Sequence, residues 1–149
     1  MKAKDIMTTK VITVHKNATI AEIAQVLVDH AVSGVPVVDD DGALMGLVSE
    51  GDLLRKETSP RIPDFVNLLG GVIYYHGVDQ YKEDLKKIMA KQASSIMTEA
   101  VITVTETTGV SEIAHLMLQH GIKRIPVVVN GKLVGIISRR DIIKLLVKQ

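Results

Sequence analysis

The sequence predicts an α+β fold: two β-α-β-β-α repeats packed sheet against sheet, with a helical linker between them. Three observations carry this. The segment LMGLVSEGDLLR at 44–55 returns as LVGIISRRDIIK at 133–144. The likeness extends along most of the chain, with IMT at 6–8 and 96–98, VITV at 11–14 and 101–104, EIA at 22–24 and 112–114, and PVV at 36–38 and 126–128. Within each copy the apolar period alternates between the spacing of a strand and that of a helix. The offset is 90 from Met7 to Met97 and 89 from Gly46 to Gly135, so one residue is lost where VDDDGAL becomes VVNGKL. That is a turn, where a deletion is tolerated.

The elements follow in order. VITV is a β-branched run and predicts the first strand of each copy. Thr19-Ile20-Ala21-Glu22 has the capping-box pattern, and Ile20, Ile23, Ala24, Leu27 and Ala31 form an apolar stripe at helical spacing. In the second copy Gly109 caps, and Val110, Ile113, Ala114 and Met117 make the stripe. VPVVD and IPVVV predict the second strand. Asp41-Gly42 and Asn130-Gly131, each between apolar runs, predict tight hairpins into LMGLVS and LVGIIS. A closing helix begins near Ser49 or Ser138. A unit of about 45 residues rarely sustains its own core, so the two are expected to pack sheet against sheet around one shared core. The resulting division is 1–58, a linker at 59–93, and 94–149.

The linker differs in composition. It holds all four aromatics, Phe65, Tyr74, Tyr75 and Tyr81, punctuated by Pro60, Pro63, Gly70, Gly71 and Gly77. A short helix is expected near 63–69. A second is expected near 78–92, burying Val78, Tyr81, Leu85, Ile88 and Met89. A connection of this length is either functional or ordered by packing against the module or a twin subunit.

Bulk properties narrow the function. The chain has 149 residues, 46% hydrophobic and 23% charged, with a formal net charge of +1 and no cysteine. The charge gives no general attraction to nucleic acid or anionic membrane, so anion binding must be local. A disulfide framework, a thiolate zinc site and a cysteine nucleophile are excluded. The N-terminus lacks a signal-peptide core and no apolar run approaches a membrane span, so the expected location is cytoplasmic. No Walker-type phosphate loop is present. His30 and His120 share a place at the end of the first helix, where the dipole favours a cation. No metal site is expected, because no ligand-spaced Cys or His cluster accompanies them.

The repeated G-h-h-S-x-x-D (h, apolar) has two readings. Ser49-x-x-Asp52 and Ser138-x-x-Asp141 are each a variant of the capping box. They also suit a nucleoside phosphate: hydroxyl and first-turn amides for the phosphate, a carboxylate one turn on for a ribose diol, and Gly46 leaving room beside the strand.

With that signature, the h-P-V-V strand and the element order in two registers, the chain resembles a tandem of cystathionine β-synthase (CBS) domains, a Bateman module. The resemblance covers about residues 4–55 and 94–148. It implies copies that face each other about a pseudo-two-fold axis, and a non-catalytic sensor whose two clefts bind adenine nucleotides or S-adenosylmethionine, each cleft built from both copies. Cleft A would take Leu47, Ser49 and Asp52 from the first copy and Met97, Ile102, Ile122, Lys123, Arg124 and Pro126 from the second. Cleft B would take Ile136, Ser138, Arg139, Arg140 and Asp141, with Met7, Lys10, Ile12, Val32, Ser33 and Pro36. Asp would bind the ribose, Ser and the helix start the first phosphate, and Ile and Val side chains the base, whose edge the backbone of Ile12 or Ile102 would read. Lys123-Arg124 stands where the other copy has Ser33-Gly34, and Arg139-Arg140 where it has Glu50-Gly51. Phosphate binding should therefore rest on the Lys-Arg pair in A and on the helix arginines in B.

The implied ligand is AMP, ADP or ATP, with no other cofactor. The apolar residues after each signature (Leu53, Leu54; Ile142, Ile143, Leu145, Leu146) suggest a homodimer face or intrachain core, and an effector protein of unknown identity would read the ligand state. The competing reading is a structural dimerisation module with vestigial clefts. No residue set nominates a reaction.

Overall fold

The computed structural model describes residues 1–149, apart from the side chains of Asn67 and Leu68. The first copy runs α1 (Ala3–Ile6), β1 (Val14–His15), α2 (Ile20–Asp29), β2 (Gly34–Val38), β3 (Leu44–Ser49) and α3 (Glu50–Leu54), closing with a 3₁₀ turn over Arg55–Glu57. The linker contributes β4 (Asp64–Leu68), β5 (Gly71–His76) and α4 (Val78–Met89). The second copy runs α5 (Ala93–Ile96), α6 (Val110–His120), β6 (Arg124–Val129), β7 (Lys132–Ser138) and α7 (Arg139–Val147). Among the described residues no helix is long and apolar enough to cross a membrane.

Local signals act as the sequence predicts at the caps and turns. Thr19 Oγ1 accepts the Glu22 amide at 3.2 Å, and Gly109 precedes α6. Asn130 and Gly131 both have positive φ (52° and 78°), the conformation a two-residue hairpin needs. In the first copy Gly42 has φ 79°. The antiparallel pairs β2–β3 and β6–β7 set Gly34 opposite Ser49 and Arg124 opposite Ser138. Ala31 departs from the expected helical stripe: it lies past the end of α2, exposed, at φ 50°.

The VITV strands are shorter than expected. Only Val14–His15 pair in parallel with β2, and in the second copy a single bridge joins Val104 to Val127. Upstream of them the chain bonds to the other copy, Thr8 to Ile136 and Thr98 to Leu47.

Those contacts overturn the expectation of one shared core. Among the described residues there are two apolar clusters, and each is completed by the opening helix of the other copy. Ala93, Ile96 and Met97 join Ile23, Val35, Val37 and Val48, whereas Ala3 joins Ile113, Ile125, Val127 and Ile137. The exchange is reciprocal in the backbone: Ala3 N donates to Thr108 O and Ala93 N to Ala18 O, both at 2.8 Å. Fully burying a side chain such as Ile96 stabilises by roughly 1.5–3 kcal/mol, so each sequence repeat depends on the other for part of its core. The strands after the swap are tied as well. Leu47 and Thr98 exchange two hydrogen bonds (3.0 and 2.8 Å), as do Thr8 and Ile136 (2.9 and 3.0 Å). The hairpin turns meet through Leu44 N to Gly131 O (3.1 Å) and Leu133 N to Gly42 O (3.2 Å).

The linker also departs from expectation. Residues 63–69 form no helix; β4 and β5 make an antiparallel hairpin around Leu69 and Gly70, at φ 50° and 80°. The reason is compositional: Phe65-Val66 and Val72-Ile73-Tyr74-Tyr75 are β-branched or aromatic, and Gly70 admits the tight turn. The expected burial along α4 is met only in part. Val78, Tyr81, Leu85 and Ile88 are half-buried, Met89 is exposed, and the buried side chain is Asp84. Asp84 accepts Arg61 N (2.7 Å), Nε (2.9 Å) and Nη2 (3.0 Å), with Arg55 Nε at 3.8 Å. Lys56 Nζ donates to the carbonyls of Ile88 (2.7 Å) and Ala90 (2.6 Å) at the end of α4. Lys56, with Arg55 at longer range, ties this helix to the first copy, while Arg61 ties it to the start of the linker.

Candidate functional site

The Ser-x-x-Asp residues form reciprocal caps in both copies. Ser49 N donates to Asp52 Oδ2 at 2.9 Å and Ser49 Oγ to the same oxygen at 3.2 Å. Ser138 and Asp141 repeat the pattern at 2.8 and 3.0 Å. The capping reading is thus fulfilled, and it consumes one oxygen of each carboxylate. The other oxygen, Oδ1, takes no part in either cap.

In front of the first cap lies a cavity of about 460 Å³ between the copies. That volume suits a small molecule of nucleotide size. Leu47, Ser49 and Asp52 line it from the first copy, and Ile102, Ile122, Lys123 and Arg124 from the second. These are cleft-A residues proposed from the sequence. Met97 and Pro126 are not brought to it. Met97 is buried in the first core and Pro126 within β6, where its carbonyl accepts Val104 N at 3.1 Å.

The motif glycines have a different role from the one read in the sequence. A Cβ on Gly46 would lie 2.7 Å from both Met97 Sδ and Thr98 O, and one on Gly135 would lie 2.5 Å from Met7 Sδ. Each glycine admits the segment that crosses from the other copy, rather than making room for a ligand. Met7 and Met97 are packing partners of these glycines.

Ser33, expected in cleft B, lines the cleft-A cavity instead and accepts from Arg124 Nη2. Its neighbour explains the geometry. Gly34 and Arg124 are equivalent positions of the two copies, and a Cβ on Gly34 would lie 2.9 Å from Arg124 Cζ. There is room near the pseudo-axis for one long side chain, so the arginine of one copy requires the glycine of the other. Burial lowers the Arg124 pKa, against which the negative charge of Glu50 acts. Arginine remains charged regardless, so a partly desolvated cation stands at the cavity wall.

Glu50 and Gly51, set against Arg139-Arg140 in the sequence, line the cavity as well; Thr98, Ala100, Val101 and Gly121, which the sequence did not single out, complete the lining. Nor did the sequence point to Lys87. From α4, its Nζ forms an ion pair with Asp52 Oδ1. Lys87 has no counterpart in the repeat, so no in-register comparison marks it.

The cleft-B residues are placed as follows. Ile136 pairs with Thr8 and so sits beside Met7. Ile12 and Val32 pack on the first core, Pro36 is buried in β2, and Lys10 and Arg140 are exposed. Arg139 Nε donates to Ile122 O at 2.9 Å, within its own copy. Asp141 Oδ1 has Lys144 Nζ at 4.0 Å on the same helix.

Comparisons with known proteins agree with this architecture. The CBS domain family model matches residues 3–58 and 93–148. The protein MJ1426 of Methanocaldococcus jannaschii is 30% identical over 99% of this chain and 92% of its own length. The chloroplastic CBS domain-containing protein CBSX2 of Arabidopsis thaliana is 30% identical over 88% of this chain, which spans 56% of that protein. Among solved structures, CBSX2 in complex with AMP has a TM-score of 0.76 at 26% identity, covering 99% of this chain and 98% of that one. The CBS domain pair of protein MJ0100, in complex with 5′-methylthioadenosine and S-adenosyl-L-methionine, has a TM-score of 0.71 at 28% identity, covering 99% and 97%. With the signature in both copies, each at the mouth of a strand-to-helix turn and each core completed by its twin, this chain belongs to the CBS domain family as a tandem pair, a Bateman module.

Proposed function

We propose that the chain is a non-catalytic regulatory module that binds an adenine nucleotide, AMP, ADP or ATP, in cleft A. The observation that carries the reading is the cavity itself: the capped Ser49–Asp52 on one wall, Ile102, Ile122 and Arg124 on the other, each wall from a different copy. Asp52 serves the ribose, Ile102 and Ile122 flank the base, and Arg124 with Lys123 takes the phosphate. Binding of AMP by CBSX2 supports the ligand class. The lining groups are engaged in structural pairs, Asp52 with Ser49 and Arg124 with Ser33, which favours holding a ligand over transforming it. Because the walls belong to different copies, a ligand biases their mutual arrangement by its difference in affinity for the two states. Leu54, Ile143 and Leu146 are exposed on α3 and α7 and supply the apolar face for a homodimer.

S-adenosylmethionine is the second reading. Glu50 on the cavity wall favours it, since a carboxylate suits a sulfonium better than a phosphate. Binding of S-adenosyl-L-methionine by the MJ0100 pair supports it too.

Thermal unfolding with AMP, ADP, ATP, adenosine and S-adenosylmethionine tests both. Ligand at 100 times its Kd stabilises by about 2.7 kcal/mol. Arg124→Ala should weaken the nucleotides far more than adenosine. Equal losses for all would remove the phosphate role, and a flat response to all five would favour a purely structural module.

A further inference from the structure

We propose that Lys87 is a specificity-determining residue of cleft A contributed by the linker, holding the Asp52 oxygen that the cap leaves free so that a ligand with a vicinal diol must displace it. The inference rests on the adenosine-ligand reading of that cleft. It begins with the carboxylate. Asp52 Oδ2 already accepts from the amide and the hydroxyl of Ser49, at 2.9 and 3.2 Å. The two hydroxyls of a ribose therefore need Oδ1, and Oδ1 is where the Lys87 ammonium sits. The pair is sheltered, with side chains 20% and 10% exposed, so solvent screens it little.

Lys87 also belongs to a helix with other anchors. Asp84 is bound by Arg61, and the end of α4 is bound by Lys56. Release of Lys87 loosens the last turn of α4 without detaching the helix. The linker, which follows the first copy directly, thereby reports whether a diol occupies cleft A. Among the described residues the second copy has no such gate: its Asp141 Oδ1 has Lys144 at 4.0 Å from the same helix, with a side chain 64% exposed.

Calorimetric titration of AMP and 2′-deoxy-AMP into the wild type, Lys87→Met and Lys87→Arg tests the proposal. Lys87→Met should bind AMP roughly tenfold tighter, the scale of one charge-assisted contact no longer broken. Its affinity for 2′-deoxy-AMP, which lacks the diol, should stay within about twofold. Lys87→Arg should keep the wild-type ratio. In the wild type, AMP should accelerate amide exchange at residues 85–90 and 2′-deoxy-AMP should not, a readout that needs no variant to fold. Weaker AMP binding by Lys87→Met, equal changes for both ligands, or unchanged exchange would overturn the role of Lys87 and leave the cleft reading intact. No binding of either nucleotide to any of the three proteins would instead remove the cleft reading, and this inference with it.

Discussion

Replacing the two motif glycines by alanine should have unequal effects, although they are the same residue in the same motif. At Gly46 the added methyl would meet Thr98 O at 2.7 Å and Met97 Sδ at 2.7 Å. Thr98 O is the acceptor for Leu47 N at 3.0 Å, so relieving the overlap moves the backbone that joins the copies. Two hydrogen bonds at about 0.5–1.5 kcal/mol each are put at risk. Overpacking adds about 1–3 kcal/mol. Gly46→Ala should therefore cost about 2–4 kcal/mol, part of the bridge surviving in a shifted position. At Gly135 all three nearest atoms belong to the Met7 side chain. A methionine has rotamers to yield with, and the cost should be about 1 kcal/mol. For a chain of this size each kcal/mol lowers Tm by roughly 2–4 °C. Urea unfolding of the two variants beside the wild type reads the difference directly, with the slope against denaturant as a check that the same surface unfolds. Equal costs, or a costlier Gly135→Ala, would refute the argument that the crossing backbone at Thr98 sets the need for Gly46.

Two further outcomes follow from the fold. Asp84 has its pKa lowered from 3.8 to about 2, first by the Arg61 side-chain hydrogen bond and then by the Arg61 amide, with burial opposing. Its folded value lies below its unfolded one, so its contribution is complete above the unfolded pKa and is lost as pH falls through the folded pKa. Asp84→Asn should flatten the acid limb of stability between about pH 4 and 2; an unchanged acid limb would show that another carboxylate controls it. Deleting residues 1–8 removes α1 from the second core, where Ala3 is fully buried. Amide protection should then fall first at residues 104–142 rather than in the copy to which the deleted residues belong in sequence, and loss confined to residues 12–53 would contradict the exchange.

The elements legible in the sequence are those controlled by near neighbours. Asn130-Gly131 turns because both residues tolerate positive φ, and Ser49 and Ser138 cap because an acid follows three positions later. The Thr19 cap and the core faces of α2 and α6 follow from helical spacing in the same way. The 63–69 segment is a strand rather than the expected helix, since a short apolar run does not distinguish the two by period. The walls of the cavity between the copies were legible further than such signals reach, because duplication put Ser49 and Asp52 in register with Ser138 and Asp141 and the resemblance supplied the pairing between copies.

The sequence by itself determined that there are two copies, where their hairpins turn and where their closing helices begin, since these are settled by torsional preference and hydrogen bonds within a few residues. The tertiary structure alone decided which copy completes which core, that Gly46 yields to a crossing backbone, that Gly34 yields to Arg124, and that a linker lysine closes on Asp52. Such contacts join residues far apart in the chain, and their energies depend on distance and burial, quantities that exist only once the chain has folded.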